Sequence, residues 1–378
     1  FRSSPEKSLQ VEAGSPPLDL QRDEQVLRYI IRLESSPKYL EKLNVLEDEY
    51  DNMYEEDKQQ QVPIGTRARH LKQHLDFAPN PILNSETETP LWLLNKINIC
   101  REGTIMLKRN TTPSRLQQDF LSHMNKHSSS KHIYTDGSKS QNGVGFGVVY
   151  GQNQDRHVRG TLPRETTVFA AEVQAISRAL TIIEESVHLN WTIFTDSQSS
   201  LQAITQLNPK HPLIKVIQTK LIQLQLEQKK ICFCKIPSHV GIKGNEAADR
   251  VANESLTLPG FYTTQVYHRD YHFPIRRKIM EIWQTRWEQQ TRNKLRQSKP
   301  NVKPWPNIPG GSRRIEAKIT RLRIGHTRLT HGHYMSRGRP PECTYCGVSP
   351  LTTKHFLTEC QSTLPIRQRL KLPSDLQK

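Results

Sequence analysis

A change of hydrophobic period at His132 constrains the fold more than any other feature of the chain. Three short β-rich runs separated by Gly, Asn and Asp predict consecutive antiparallel strands: HIYTDGS, GVGFGVVYG and DRHVRGTLP. Apolar residues then recur at helical spacing from Thr167 to about Ser186. A buried strand in NWTIFTDS, two helices, a strand in ICFCKIPSH and a last helix follow, the helices at 199–207, 212–228 and about 245–255. The order βββαβααβα predicts an α/β domain over 131–256, with a mixed five-stranded sheet flanked by helices.

The segments on either side of this domain differ from it in composition. Residues 1–130 place helically spaced apolar residues among charges, at Val26 to Ile31 and at Leu40 to Leu46, and then become rich in Pro, Asn and Ser. This pattern predicts a mainly helical connector. Residues 257–378 form a basic tail.

Most of the net charge of +17 lies in that tail, since residues 265–378 contain 23 Lys or Arg against 7 Asp or Glu. Such an excess favours a polyanionic partner, most simply nucleic acid, although an acidic membrane would also attract it. The sequence has no apolar run of membrane-spanning length and no apolar signal segment near its start. Six cysteines in 378 residues are too few for a disulfide scaffold, so we predict a protein of the cytosol or nucleus, not secreted.

Four acidic residues occupy positions typical of a metal site. Asp136 and Asp196 each end a predicted strand, where open α/β sheets place their chemistry. Glu172 lies on the apolar face of its helix, where a lone carboxylate is costly unless it is neutralised. A divalent cation such as Mg²⁺ prefers oxygen ligands, and a pair of such ions can activate water for phosphodiester cleavage. Asp249 in the last helix would complete the cluster, and His239 in a Gly-containing loop could shuttle a proton.

Each of these acids also has a purely structural interpretation. Asp136 and Asp196 could be turn formers, because Asp-Gly and Asp-Ser are common turn pairs. Glu172 could face solvent, and Asp249 could be an ordinary acid on a helix surface. Their joint occurrence at these element positions favours the catalytic interpretation.

The motifs around these acids resemble those of the ribonuclease H family. The resemblance covers residues 132–256 and is carried by YTDGS, AAE, FTDSQ and PSHVGIKGNEAAD, which contain or end at the four acids in order. It implies that Asp136, Glu172, Asp196 and Asp249 hold two Mg²⁺ or Mn²⁺ ions, and that the RNA strand of an RNA–DNA hybrid is hydrolysed. His239 matches a mobile histidine linked to proton transfer or product release.

The same resemblance implies that Asn142 and Gln198 touch the hybrid in its minor groove, where the 2′-hydroxyls distinguish RNA from DNA. Both could equally be surface polar residues. The basic loop that some relatives carry between the middle helices corresponds here to QLNPKHPLIK, which is short and only mildly basic. We therefore expect affinity for the hybrid to depend on the flanking regions.

The segments before 131 and after 256, and the PSHVGIKGNEAAD motif, resemble the C-terminal part of a non-LTR (LINE, jockey-like) retrotransposon polyprotein. The opening residues resemble the stretch that follows a reverse transcriptase, and the polymerase itself is absent because no Tyr/Phe-x-Asp-Asp motif occurs. The resemblance implies element RNA and the reverse transcriptase portion as partners, in a cytoplasmic ribonucleoprotein and in the nucleus. Because the chain opens with Phe1, we interpret it as a fragment. A cellular ribonuclease H would need neither flank, and a catalytically inactive binding module remains an alternative.

The tail contains a Cys/His array that can supply three thiolates and one imidazole to tetrahedral zinc: Cys343, Cys346, His355 and Cys360. Its last spacing resembles that of a nucleic-acid zinc knuckle, but the gap before His355 is longer, and unligated buried cysteines are the alternative. Upstream of the array, aromatic residues interleave with Arg and Lys. We predict that Ile275, Ile279, Ile282, Trp283 and Trp287 pack as a buried helical stripe, while the charges face nucleic acid.

Overall fold

The computed structural model describes residues 4–36, 64–80, 98–100, 112–126, 129–305 and 312–371. Residues 27–274 form one compact unit, and residues 1–26 together with 275–378 form a second. Both boundaries predicted for the central domain, before 131 and after 256, fall inside the larger unit. The helical pattern predicted at Leu40 to Leu46 lies outside the described residues.

The sheet of the larger unit contains the five predicted strands and one more. The strands are β1 Asn98–Cys100, β2 Lys131–Lys139, β3 Val144–Tyr150, β4 Arg156–Leu162, β5 Asn190–Thr195 and β6 Lys230–Lys235. Their order is β1-β6-β5-β2-β3-β4. β2, β3 and β4 pair in antiparallel fashion, whereas β1, β6, β5 and β2 run parallel. The mixed sheet confirms the predicted fold class, and β1 adds an edge strand from the segment predicted as a connector.

The helices are α1 Glu6–Ala13, α2 Leu18–Glu34, α3 Ile64–His74, α4 Pro113–Lys126, α5 Val168–Glu184, α6 Gln198–Ile204, α7 Pro212–Leu226, α8 Lys243–Ser255, α9 His272–Glu288, α10 Lys294–Ser298, α11 Arg313–Ile324, α12 Arg328–His331, α13 His333–Ser336 and α14 Leu364–Arg369. The helices of the central domain begin and end close to their predicted bounds. α5 starts after Thr167, whose side chain accepts a hydrogen bond from the backbone N–H of Ala170. α6 is capped in the same way by Ser197, because short hydroxyl side chains satisfy the unpaired donors of a first helical turn.

Two apolar clusters cover the two faces of this sheet. One packs the strands against α5 and α7 and includes Ile133, Phe146, Ile176 and Ile193, all fully buried. The other lies on the opposite face and includes Tyr134, Phe194, Cys234 and residues of α4 and α8. Burial of each such side chain contributes about 1.5–3 kcal/mol, so helices are needed on both faces.

The second unit contains the predicted apolar stripe of α9. Ile275, Ile279, Trp283 and Trp287 are buried, which confirms that they pack, and Ile282 is half-buried. The indole N–H of Trp287 donates to the carbonyl of Lys299 at 2.9 Å. Within the ranges that the structure describes, no helix has the length and apolar character needed to cross a bilayer.

Candidate active site

Three predicted acids meet at one end of the sheet. In the parallel pairing of β2 with β5, Thr135 lies opposite Thr195, so the next residues, Asp136 and Asp196, lie side by side. β5 ends at Thr195, as predicted for Asp196. The prediction that Asp136 ends its strand was wrong, because β2 continues to Lys139 and Asp136 still pairs with Gly147 of β3. Helix α5 adds Glu172 from its first turns. One carboxylate oxygen from each acid lies within 4.8 Å of the others. Asp136 and Glu172 are 7% and 8% exposed, so two of the three carboxylates are withdrawn from water.

Gly137 allows Glu172 to come this close. A Cβ atom at position 137 would lie 2.5 Å from the backbone nitrogen of Glu172 and 2.8 Å from the carbonyl carbon of Ala171. Both distances are far below a van der Waals contact, and both atoms belong to the backbone of α5. Strand β2 and helix α5 can therefore touch at this point only where the strand has no side chain.

Helix α8 supplies the fourth acid on a polar face. Asp249 lies close enough to Asp136 for its charge to raise the pKa of that carboxyl. One turn before it, Asn245 is 2% exposed and its amide nitrogen lies 3.5 Å from Asp196 Oδ2. One turn after it, the Asn253 amide donates to Asp249 Oδ1 at 3.2 Å and accepts from the Ser138 hydroxyl at 2.6 Å. The four predicted acids are thus brought together, and two asparagines four residues on either side of Asp249 brace them.

Burial and the repulsion between the acids make the charged form of these carboxyl groups unfavourable. Desolvation, followed by the charges of Asp196 and Asp249, raises the pKa of Asp136 to about 8. Desolvation, followed by Asp136 and Asp196, raises the pKa of Glu172 to about 9. Burial also raises the pKa of Asp196, while the Asn245 hydrogen bond and the nearby His239 act in the opposite direction. Glu172 Oε2 is buried and has no hydrogen-bond donor among the described residues. A hard divalent cation bound by oxygen ligands would satisfy this atom and relieve the repulsion.

His239 lies beside the cluster in an exposed loop. One ring nitrogen of His239 and one carboxylate oxygen each of Glu246 and Asp249 lie within 4.8 Å of one another. The backbone of His239 has φ 53° and that of Gly241 has φ 81°, so the loop turns sharply through the left-handed region. The backbone N–H of Gly241 donates to Glu246 Oε1 at 3.1 Å. The imidazole therefore stands at the rim of the site, where it can reach both the acids and solvent.

The two predicted substrate contacts differ in their surroundings. Asn142 is exposed in the turn between β2 and β3, where its N–H donates to the Ser140 hydroxyl at 3.0 Å. Gln198 opens α6, two residues after Asp196, and its Oε1 atom is buried without a hydrogen-bond partner in the described part of the chain. Their roles in substrate binding stay predictions.

The predicted zinc residues also form a cluster, in the second unit. The sulfur atoms of Cys343 and Cys360 are 3.9 Å apart, those of Cys360 and Cys346 are 3.7 Å apart, and Cys346 Sγ lies 3.2 Å from His355 Nε2. Sulfur atoms at the corners of a zinc tetrahedron with bonds of about 2.3 Å would be roughly 3.8 Å apart. A backbone hydrogen bond involving Tyr345 is the largest influence on Cys343 and lowers its pKa to about 6, which favours the thiolate. The donor set and its spacing fit a tetrahedral metal site.

Sequence reasoning missed several residues that shape the carboxylate site. Gly137, Asn245, Glu246 and Asn253 were not predicted to take part. The spacing of four residues between Asn245, Asp249 and Asn253 is a helical signal that the sequence carries. The close approach of α5 to Gly137 has no such signal, because it depends on contact between distant segments.

The mixed sheet of β2 to β6, with its flanking helices, matches the ribonuclease H fold. The family model described as RNase H matches residues 128–257. Ribonuclease H1 of Rattus norvegicus is 29% identical over 169 residues, which is 40% of this chain and 58% of that protein. The chain therefore spans a little over half the length of this relative. The crystal structure of RNase H1 from the halophilic archaeon Halobacterium salinarum NRC-1 is 24% identical and covers 34% of this chain and 97% of that one, with a TM-score of 0.28.

Proposed function

We propose that the domain over 131–256 is a ribonuclease H that hydrolyses the RNA strand of RNA–DNA hybrids. The observation that carries this proposal is the convergence of Asp136, Glu172 and Asp196, with Asp249 close to Asp136. Within this cluster Glu172 Oε2 is buried and has no hydrogen-bond partner among the described residues. Polar groups without partners are expensive to bury, so a site of this kind is kept for a ligand. The family match over 128–257 supplies the reaction class.

The four carboxylates would hold two Mg²⁺ or Mn²⁺ ions. Bound there, the ions would supply an activated water and stabilise negative charge on the leaving oxygen. Asp136 presents its ligand oxygens from within β2, Asp196 from just after the end of β5, and Glu172 from a helix held against Gly137. Asn245 orients Asp196, and Asn253 orients Asp249. His239 would carry a proton to the leaving oxygen or assist release of the product.

Contacts with the substrate would come from two kinds of residue. We propose that Asn142 and Gln198 contact the minor groove of the hybrid and bind its 2′-hydroxyls. In the second unit, Arg313, Arg314 and Lys318 are exposed on α11. Lys and Arg on one helix suit contact with phosphates, whose sequence-independent attraction supplies most nonspecific binding. We assign the general affinity for nucleic acid to this helix and the selection of RNA to the central domain.

The direct test is cleavage of a labelled RNA–DNA hybrid by the purified chain in Mg²⁺, with single-stranded RNA and duplex DNA alongside. We expect cutting of the hybrid alone. Asp196→Asn should reduce the rate by about 10³-fold or more, because it removes a ligand charge from the site. The matched control is Asp155→Asn, which changes an exposed acid in the turn between β3 and β4 and should cleave at the normal rate.

The competing function is a nucleic-acid-binding module that has lost catalysis, as in a degenerate element copy. Hybrid binding by well-folded protein, measured by fluorescence anisotropy, with no cleavage in Mg²⁺ or Mn²⁺ would establish that alternative. Four neighbouring acids, with one carboxylate oxygen that has no partner in the described part of the chain, favour the enzyme, since a binding surface has no need to bury like charges together.

The biological context we propose is the C-terminal part of a non-LTR retrotransposon polyprotein. It rests on the resemblance of the flanking segments and of the PSHVGIKGNEAAD phrase. In that setting the domain would remove element RNA after first-strand synthesis by the reverse transcriptase portion, in a cytoplasmic ribonucleoprotein or in the nucleus.

We also propose that Cys343, Cys346, His355 and Cys360 bind one Zn²⁺ ion. Zinc content measured by elemental analysis should be close to one per chain, and Cys360→Ser should lose it. Cys234→Ser is the matched control, because Cys234 is a buried cysteine outside the cluster. Chelation should also expose residues after 340 to protease, since zinc binding contributes directly to the folding of such segments. If the Cys360→Ser variant held as much zinc as the natural chain, the proposed zinc site would be contradicted.

A further inference from the structure

Helix α4 lies upstream of the segment that matches the family model, yet it packs on the sheet of the central domain. Leu116 is 2% exposed, and the Phe120 ring meets the Phe194 ring edge-on at 5.5 Å. The hydroxyl of Tyr134 lies 3.8 Å from the sulfur of Met124. The helix therefore covers the sheet face opposite α5, with its residues at 116, 120 and 124 in a row.

A polar side chain of α4 reaches past this apolar row to the loop that carries His239. The amide nitrogen of Gln117 donates to the carbonyl of Val240 at 2.6 Å. The same amide lies against Gly241, where a Cβ atom would be only 2.2 Å from it. Gln117 thus contacts the two residues that directly follow His239.

This loop has a backbone that needs outside support. His239 adopts a positive φ of 53°, a backbone conformation that is unfavourable for a residue with a Cβ atom. Glu246 holds the loop from α8 by accepting from the Gly241 N–H, and Gln117 holds it from α4. Apolar burial explains why α4 docks on the sheet, but it does not explain a side-chain amide placed on a loop carbonyl. The hydrogen bond from Gln117 to Val240 is suited to hold the His239 loop in one conformation.

We infer that Gln117 is a positioning residue for His239, so that helix α4 is part of the catalytic domain and sets the histidine over the carboxylates. This inference rests on the ribonuclease H function proposed above. Gln117 itself does not touch the acids, and it acts through the Val240–Gly241 backbone. Loss of its hydrogen bond would let the loop leave the strained conformation while the carboxylate site stays intact.

The test compares Gln117→Met with Gln118→Met. Methionine closely matches glutamine in shape and removes the donor, and Gln118 is exposed on the same helix. In Mg²⁺ and over a range of hybrid concentrations, we expect Gln117→Met to lower kcat about tenfold with KM unchanged, and Gln118→Met to match the natural chain. In a His239→Ala background, Gln117→Met should have no further effect. An equal loss in both backgrounds, or no effect of His239→Ala alone, would overturn the inference.

A second readout does not depend on activity. Hydrogen exchange of a peptide covering residues 237–243 should be faster in Gln117→Met than in Gln118→Met, with the melting temperatures of the two variants alike. Equal exchange would refute the role of Gln117 even if the chain cleaves. Faster exchange in a chain that cuts no hybrid would instead refute the proposed enzyme and leave the loop contact established.

Discussion

Glu172→Gln is expected to abolish hybrid hydrolysis and, in the absence of metal, to make the protein more stable at high pH. The rate should fall by about 10³-fold or more, because a neutral amide cannot supply ligand charge to the site. The gain in stability follows from the cost of burying this carboxylate, to which the charges of Asp136 and Asp196 add. The same charge that the reaction needs therefore opposes folding when no cation is bound.

The sign of the pH effect follows from the two pKa values. In the folded protein the pKa of Glu172 is raised from 4.5 to about 9. Between those values the folded state keeps a proton that the unfolded state has released, so the free energy of unfolding falls as pH rises. The contribution is present in full below about pH 4.5, and it is lost as pH approaches 9. Glu172→Gln has no group that titrates at this position. Its free energy of unfolding should therefore equal that of the natural chain near pH 4.5 and exceed it increasingly toward pH 9.

Thermal unfolding in EDTA from pH 5 to pH 9 measures this difference. A relative stabilisation of about 2 kcal/mol at pH 9 corresponds to roughly 4–8 °C in melting temperature for a domain of this size. Glu185→Gln, an exposed acid just beyond α5, is the control and should follow the natural chain. Mg²⁺ should raise the melting temperature of the natural chain more than that of the variant. A difference between the two that stays constant across the pH range would contradict the prediction.

Gly137→Ala is expected to cost both stability and activity, although the side chain added is a single methyl group. Its Cβ would meet the backbone of α5 at 2.5 Å and 2.8 Å, and a helix backbone cannot yield as a flexible side chain can. Overpacking of this kind costs about 1–3 kcal/mol. The helix must shift outward and carry Glu172 with it, so we expect a rate loss of about 10²-fold or more.

The measurements are chemical denaturation and single-turnover cleavage, made on Gly137→Ala and on Gly338→Ala as the control. A Cβ at position 338 would meet only the Ser336 hydroxyl, at 3.4 Å, so this variant should be close to the natural chain in both assays. Hybrid binding should survive in both. Full activity in Gly137→Ala would mean that the contact between β2 and α5 does not set the position of Glu172.

The predictable part of the site followed from local pattern. Asp196 could be placed at a strand end because the alternation of apolar residues stops there and turn residues follow. The same pattern at Asp136 was misleading, because β2 continues to Lys139 by pairing with β3. Glu172 could be placed on a buried helix face because its neighbours repeat at helical spacing. Asn245 and Asn253 lie four residues before and after Asp249, on the same helix face. Their roles could not be predicted, because the hydrogen-bond partner of a helical asparagine depends on tertiary structure.

The sequence by itself determined the order of strands and helices in the central domain, the acids that end up together and the Cys/His set of the tail. These depend on periods, turn residues and spacings within a few residues. Tertiary structure alone decided that β1 joins the sheet, that α4 covers one of its faces, that Gln117 holds the His239 loop and that Gly137 admits α5. Each of these is a contact between segments far apart in the chain, and local propensity carries no information about which distant surface will bury a given side chain.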